Sequence, residues 1–346
     1  MSLLCTSPSP SSDGTPLKCQ SAYLQTKGWM AVIEGLGIIS LPIVQARTLI
    51  TLFEVAHGFY PAAYLSIGTT VRAAEALTPA PSLGASPSTA DEAERNEVVL
   101  LWGAIRVLDR YITVRSGPRP SLTRSLPQVV HDSNPTVRVP SLEENRSSPL
   151  SQFSRMVDAS ALLDSIHNVL HNPTSEQAFN VEEMQLFVET LHSLRTLLVE
   201  EIDEADAIYS GALDLCHTGL LLVYENGTTG LITDGQILTC HVHATLSLSS
   251  LLTTITDTVS PLVTGIEPVD LDRLPPFIMY LVYKAARIVT ERFRLESDSR
   301  EAVRKLRILR GFLELGSARW LCCRRYLDLL NEDTTPRILK AVAADQ

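Results

Sequence analysis

Long hydrophobic runs are missing from this sequence. A helix that spans a bilayer needs about 20 consecutive apolar residues, and the best stretch, residues 35–44, falls far short. Residues 1–20 hold Ser, Pro and Lys with no apolar core, which excludes a secretory signal. No Cys-x2-Cys pair occurs among Cys5, Cys19, Cys216, Cys240, Cys322 and Cys323, so the spacing of structural zinc modules is missing. In a reducing compartment such cysteines are free thiols, and the buried ones behave as small apolar residues. Clustered positive charge is also lacking. Residues 1–150 balance 12 Lys/Arg against 12 Asp/Glu, whereas residues 151–346 hold 17 against 27 and carry the whole net charge of −10. A surface of that sign does not attract a phosphate backbone. What is present is apolar content: 45% of the 346 residues are hydrophobic, enough to bury a sizeable core and to exclude wholesale disorder. The expectation is a soluble, intracellular, globular protein.

The apolar residues recur at helical spacing. Ile43, Ala46, Ile50 and Phe53 share one helix face; Tyr64, Ile67, Val71 and Ala74 repeat it after Pro61, which suits a first turn. Val98, Leu101, Trp102, Ile105, Leu108 and Ile112 form a third face after an acidic opening at Asp91, Glu92 and Glu94. Residues 113–152 have no sustained period, and the steps into Pro118, Pro120 and Pro127 argue for an extended crossing. Helices resume on Met156, Ala159, Leu163 and Ile166, then on Met184, Phe187, Leu191, Leu194 and Leu198, then on Leu213, Cys216, Leu220 and Val223. Residues 229–242, with Gly230 and Asp234-Gly235, hint at a short hairpin or loop. Later faces follow on Leu248, Leu251, Ile255 and Val259, on Phe277, Leu281, Ala285 and Ile288, on Leu306, Leu309 and Leu313, and on Trp320, Cys323, Leu327 and Leu330. No βαβ alternation or internal repeat appears. The fold class read from this pattern is all-α: a single large helical domain of roughly ten helices, with a Pro-rich irregular crossing after the third helix. Residues 1–20 read as a flexible tail, 21–335 as the domain, 131–150 as a loop open to disorder, and 336–346 as a C-terminal tail.

Gly35-Leu36-Gly37 lacks a third glycine and a preceding strand, so a dinucleotide site is not supported. Phosphate-loop and esterase-elbow motifs are absent. Cys240-His241-Val242-His243 is the best metal-like cluster; if extended, it sets His241 and His243 on one face, but two ligands do not close a zinc site. Residues 200–206 form the sharpest acidic run. On one helix Glu200, Asp203 and Asp206 would align and could hold magnesium beside a diphosphate, as in a terpene cyclase. The second metal motif such an enzyme needs is not found, and an acidic run is more often a solvated helix end. Cys323 shares an apolar face with Trp320, so burial accounts for it better than reactivity. The sequons at Asn145 and Asn226 mean little without a secretion signal. The expectation is therefore no enzyme, no cofactor and no resident metal.

Residues 45–127 take the reading further. Ala46-Arg47-Thr48-Leu49-Ile50-Thr51-Leu52-Phe53-Glu54, then Tyr60-Pro61-Ala62-Ala63-Tyr64-Leu65-Ser66-Ile67-Gly68, then Val71-Arg72-Ala73-Ala74 resemble the regulatory domain of fungal-specific transcription factors, the middle homology region of the zinc binuclear-cluster family. The family's next elements stand here as Glu94-Arg95-Asn96-Glu97, Trp102, Leu108-Asp109-Arg110 and Ser116-Gly117-Pro118-Arg119-Pro120. The pattern departs at Gly117-Pro118-Arg119, where Gly-Arg-Pro is commoner, and at Asn96, where Arg often stands. More loosely, Pro275-Pro276-Phe277 with Tyr283-Lys284-Ala285-Ala286, and Arg319-Trp320 through Tyr326-Leu327, are similar to its later helices, so the resemblance extends over residues 24–330. The resemblance marks Trp102, Asp109, Arg110, Gly117, Pro118 and Arg119 as signature residues. Physically they read as scaffold: a buried contact between carboxylate and guanidinium at Asp109-Arg110 would fix how the crossing leaves its helix.

The resemblance implies a nuclear regulator of transcription, often of secondary-metabolite or nutrient-use genes. It also implies a six-cysteine zinc cluster and a basic run ahead of this region, and residues 1–20 supply only Cys5 and Cys19. The chain then reads either as a truncated factor or as a trimmed regulator, working through a protein partner or as a homo- or heterodimer, with no direct DNA binding and no membrane association expected. A magnesium enzyme using Glu200, Asp203 and Asp206, and a helical sensor of a small-molecule effector, stand as the alternatives.

Overall fold

The computed structural model describes residues 18–77, 89–126, 149–229, 235–295 and 300–334, together with Leu4. Among the described residues there are eleven α-helices, one 3-10 helix and no strand, so the all-α class holds. In chain order the helices are α1 (Lys18–Gly35), α2 (Leu41–Ala56), α3 (Tyr60–Leu77), α4 (Thr89–Arg115), α5 (Pro149–His171), α6 (Gln177–Glu201), the 3-10 helix Glu204–Tyr209, α7 (Gly211–Thr229), α8 (Gly235–Val263), α9 (Pro276–Leu295), α10 (Arg300–Gly316) and α11 (Cys322–Asp333). They fall into two compact units, Met1–Asp164 and Ser165–Gln346, with α5 running through the boundary. Lys18, Cys19 and Gln20, expected in the flexible tail, open α1, and Pro149 and Leu150, expected in the loop, open α5. Apart from Leu4, the rest of both tails, the loop through Pro79 and Pro87, and residues 131–148 lie outside the described residues.

The first unit is built on three mutually packed helices, α2, α3 and α4. Pro42 sits in the first turn of α2 and Pro61 in that of α3, where a missing N–H costs nothing. Val44, Phe53, Ala63, Ile67, Ile105 and Ile112 of these helices are fully buried, as are Ala159 and Leu163 of α5. α1 has no sustained apolar stripe, because it meets the unit with few residues: Tyr23 stacks on Phe53 at a 5.5 Å centroid separation. This extra helix makes the Pro-rich crossing follow the fourth helix rather than the third.

The second unit is organised around α9, which packs on α7, α8, α10 and α11. Residues 277–286 of α9 are buried on every side, as a helix at the centre of a bundle must be. Lys284 is the one charge in that run, and its Nζ donates to Glu225 Oε1 of α7 at 2.8 Å. The hairpin expected near residues 229–242 is replaced by α8, which starts at Gly235 and runs through Pro261. Gly235 thus opens a helix, residues 230–234 lie outside the described residues, and the apolar period of Leu248, Leu251 and Ile255 extends upstream to Ala244.

Candidate functional site

The signature residues gather where α4 hands over to the crossing, all within the first unit. α4 buries Leu101, Ile105, Leu108 and Ile112, while Trp102 is only half-buried at the flank of that face. Trp102, grouped with this apolar face in the sequence, thus stands at its edge: a face through Leu101, Ile105, Leu108 and Ile112 fits the 3.6 period of α4 better.

Asp109 is almost fully buried, and its Oδ2 accepts both the Thr123 N–H at 2.7 Å and the Thr123 Oγ1–H at 2.8 Å. Burial pushes its carboxyl above the ordinary range, outweighing the Thr123 hydrogen bonds that favour the charged form. Arg110 points to the next helix, donating from Nη1 to Ser160 Oγ at 2.9 Å and to the Val157 carbonyl at 3.4 Å. The contact expected between Asp109 and Arg110 is thus divided. The carboxylate ties down the crossing, the guanidinium ties down α5, and burial lowers the guanidinium's affinity for its proton. The ion pair beside them is Arg124 with Asp164, 2.8 Å between Nη2 and Oδ1, with Nε donating to Oδ2 at 2.9 Å.

Gly117 takes φ +96°, a left-handed conformation that a Cβ would strain. The turn it makes lets two arginines flank it and reach α3. Arg115 lies over the Tyr60 ring at 3.7 Å and donates to its hydroxyl at 2.6 Å; Arg119, exposed, donates to Tyr64 Oη at 3.2 Å. Pro118 is exposed beside them. The same unit encloses a charge that the sequence reading passed over. Glu54 is completely buried, and its Oε1 meets Lys27 Nζ at 2.7 Å and the Tyr23 hydroxyl at 2.7 Å. Lys27 also donates to Ser66 Oγ at 2.6 Å, so one buried network joins α1, α2 and α3. Glu54 at the apolar end of α2 was the only sequence signal for it.

The remaining candidates are dispersed. Glu200 stands near the end of α6, which stops at Ile202; Asp203 caps the 3-10 helix, and Asp206 lies inside it, bound to Arg273 at 2.9 Å. The three acids do not share one helix, so the alignment that the alternative magnesium reading needs is not assembled. Cys240, His241 and His243 lie on helical α8 rather than on an extended strand, which turns His241 and His243 to different faces. Among the described residues no three His, Cys, Asp or Glu side chains converge as metal ligands. Cys216, Cys322 and Cys323 are buried, and burial pushes the Cys216 thiol up to about 12.

What this geometry does is hold helices in register: Asp109 ties the crossing to α4, Arg110 ties α4 to α5, and Glu54 ties α2 to α1. No family model matches the chain, and no solved structure matches it. Over 71 residues it is 38% identical to Transcription factor BOA15 of Botryotinia fuckeliana (strain B05.10), a match covering 19% of this chain and 40% of that protein. The chain thus spans less than half the length of the curated relative it matches, and the relationship it establishes is a partial one to a transcription factor.

Proposed function

We propose that this chain is a transcription-regulator module, nuclear in location, that works through a partner protein or a second subunit and not by reading DNA with its own surface. The observation that carries the reading is the partial identity to a named transcription factor. The buried ties of Asp109 to Thr123 and Arg110 to Ser160 support it, because they fit a scaffold that presents helix faces to another protein. Charge supports it too: the second unit holds 16 Lys/Arg against 25 Asp/Glu. Regulation of a metabolic or secondary-metabolite gene set, and a fold of the fungal-specific regulatory type, belong to the same proposal.

The test pairs two assays on the full chain. Tethered to a heterologous DNA-binding domain, it should change the output of a reporter promoter; alone, at physiological salt, it should select no sequence from random DNA in a mobility-shift assay. A silent reporter would remove the regulatory reading, and selection of a defined site would remove the partner requirement. Turnover of a prenyl diphosphate with magnesium would replace both with an enzyme.

A further inference from the structure

α1 is a helix turned inside out. Its inward side is narrow and carries its polar groups: Tyr23 and Met30 pack on the cluster of Ile50 and Phe53, Lys27 Nζ meets Glu54 Oε1 at 2.7 Å, and Glu34 meets Arg47 at 3.3 Å. Residues 23, 27, 30 and 34 follow at intervals of four, three and four, which sets them on one face. Gln25, Trp29, Val32 and Leu36 repeat those intervals on the opposite face. There Trp29 is 70% exposed, Val32 53% and Leu36 68%. Leu36 still belongs to the helical run, its N–H donating to the Val32 carbonyl at 3.0 Å. Leu24 on the flank and Ile38 and Ile39 just beyond the end are exposed as well. Together these side chains bare roughly 600 Å², the upper end of what a monomer leaves as its largest apolar patch.

The shape and charge of this patch fit it to a copy of itself. Gly28 precedes Trp29 and Gly35 precedes Leu36, and a Cβ built on either glycine would meet nothing within 4 Å. In a parallel two-fold pair of helices, each bulky residue at such a seam enters a hole walled by four residues of the facing helix, including the one that precedes its own counterpart. Trp29 and Leu36 would each find a glycine there. The face carries no charge, and Lys27 and Glu34 of α1 are both paired within their own unit. That unit is nearly balanced, with 13 Lys/Arg against 14 Asp/Glu, whereas the second unit holds 16 against 25. Two copies therefore meet at α1 without the like-charge repulsion that contact through the second unit would bring. The exposed area is also of the right order, since a standard interface takes about 800 Å² from each partner.

We propose that the outer face of α1, formed by Trp29, Val32 and Leu36 with Gly28 and Gly35 beside them, binds the same face of a second copy of this chain in a parallel two-fold homodimer. This deepens the reading above by naming its second subunit, and the two fail separately: the dimer is read from the mass of the purified chain, the regulatory role from the reporter.

The experiment is sedimentation of the full chain diluted from about 100 μM to about 0.1 μM, which brackets the micromolar or tighter affinity of interfaces of this size. A dimer is expected at the upper end. Val32→Glu sets two carboxylates against each other at the seam and should raise the dimer Kd at least about tenfold. Gly28→Leu points into open space in a single chain, so the monomer tolerates it, but by filling the gap it should also raise the Kd about tenfold. Circular dichroism checks that both variants keep their helix content. Fluorine NMR of the fluorotryptophan-labelled chain, with Trp29 assigned through Trp29→Phe, should show the Trp29 signal moving on dilution while those of Trp102 and Trp320 hold. A monomer at every concentration would overturn the proposal, whether Trp29 is then open to solvent, leaving the face to a different protein, or shielded by residues 1–17 of its own chain. A dimer whose Kd is unchanged in either folded variant would overturn it too, because that dimer uses another face.

Discussion

At the scale of single residues, Asp214 sets two effects against each other. It lies in the first turn of α7, where the helix dipole favours a carboxylate by about 0.3–1 kcal/mol. It is also buried, and its Oδ2 has no hydrogen-bond partner among the described residues. Burial wins, raising its affinity for a proton well above the usual carboxylate value of 3.8. A group whose folded-state pKa is raised contributes fully below its unfolded value, and that contribution is lost as pH rises through the folded value. Asp214→Asn, neutral at every pH, escapes this loss. It should stabilise the protein at pH 7 by about 1–3 kcal/mol, and the advantage should close below about pH 3.8, where both proteins are uncharged there. Denaturant melts at the two pH values check this, and a variant less stable than the parent at pH 7 would show a functioning carboxylate instead. Burial prevails at Asp109 as well, although there Thr123 gives the buried carboxylate two donors that offset part of it.

Among the elements, what could be read in advance depended on how far apart the interacting residues lie. The faces of α3, α6 and α10 were legible because apolar spacing along one helix is local information: Ile67, Val71, Leu191, Leu194, Leu198, Leu306, Leu309 and Leu313 are all buried. α1 was not legible, since its burial rests on Tyr23 and Lys27 meeting α2 and α3 rather than on a stripe of its own. Asp109 and Arg110 stood out as residue types, but their partners are 14 and 50 residues away, a distance no local pattern spans. The acidic run misled for a similar reason, as nothing local announces that α6 stops at Ile202. Helical glycines carry a further message the sequence hid. A Cβ on Gly311 of α10 would come within 2.7 Å of Val263 Cγ1 of α8, and one on Gly103 of α4 within 2.9 Å of Phe153 Cε1 of α5. These residues let neighbouring helices approach. Gly→Ala ordinarily stabilises a helix interior by about 0.5–1 kcal/mol. At both positions overpacking should reverse the sign and cost about 1–3 kcal/mol. Thermal melts of Gly103→Ala and Gly311→Ala read this directly; a raised midpoint would mean the crossings have room to spare.

For the whole molecule, charge is the property that differs most between the two units. Met1–Asp164 holds 13 Lys/Arg against 14 Asp/Glu, and Ser165–Gln346 holds 16 against 25, so nearly all of the net charge of −10 lies in the second. Self-repulsion in a unit of that charge opposes its compact state, and added salt relieves it over a Debye length of about 10 Å at 0.1 M. Salt also weakens attractive pairs such as Arg273 with Asp206 and Arg287 with Glu291, but these are exposed and worth little each. The excess of nine carboxylates should therefore prevail, and moderate salt should stabilise the second unit more than the first. The three tryptophans divide conveniently: Trp29 and Trp102 belong to the first unit, and the buried Trp320 to the second. A Trp29→Phe, Trp102→Phe double variant reports the second unit through Trp320, and a Trp320→Phe variant reports the first. Raising sodium chloride from about 0.01 M to about 0.15 M, which shortens the screening length from roughly 30 to 8 Å, should lift the midpoint seen by Trp320 by a few degrees more than that seen by Trp29 and Trp102. Equal shifts from both probes would show that the continuous helix α5 makes the chain unfold as one, with the charge asymmetry shared across it.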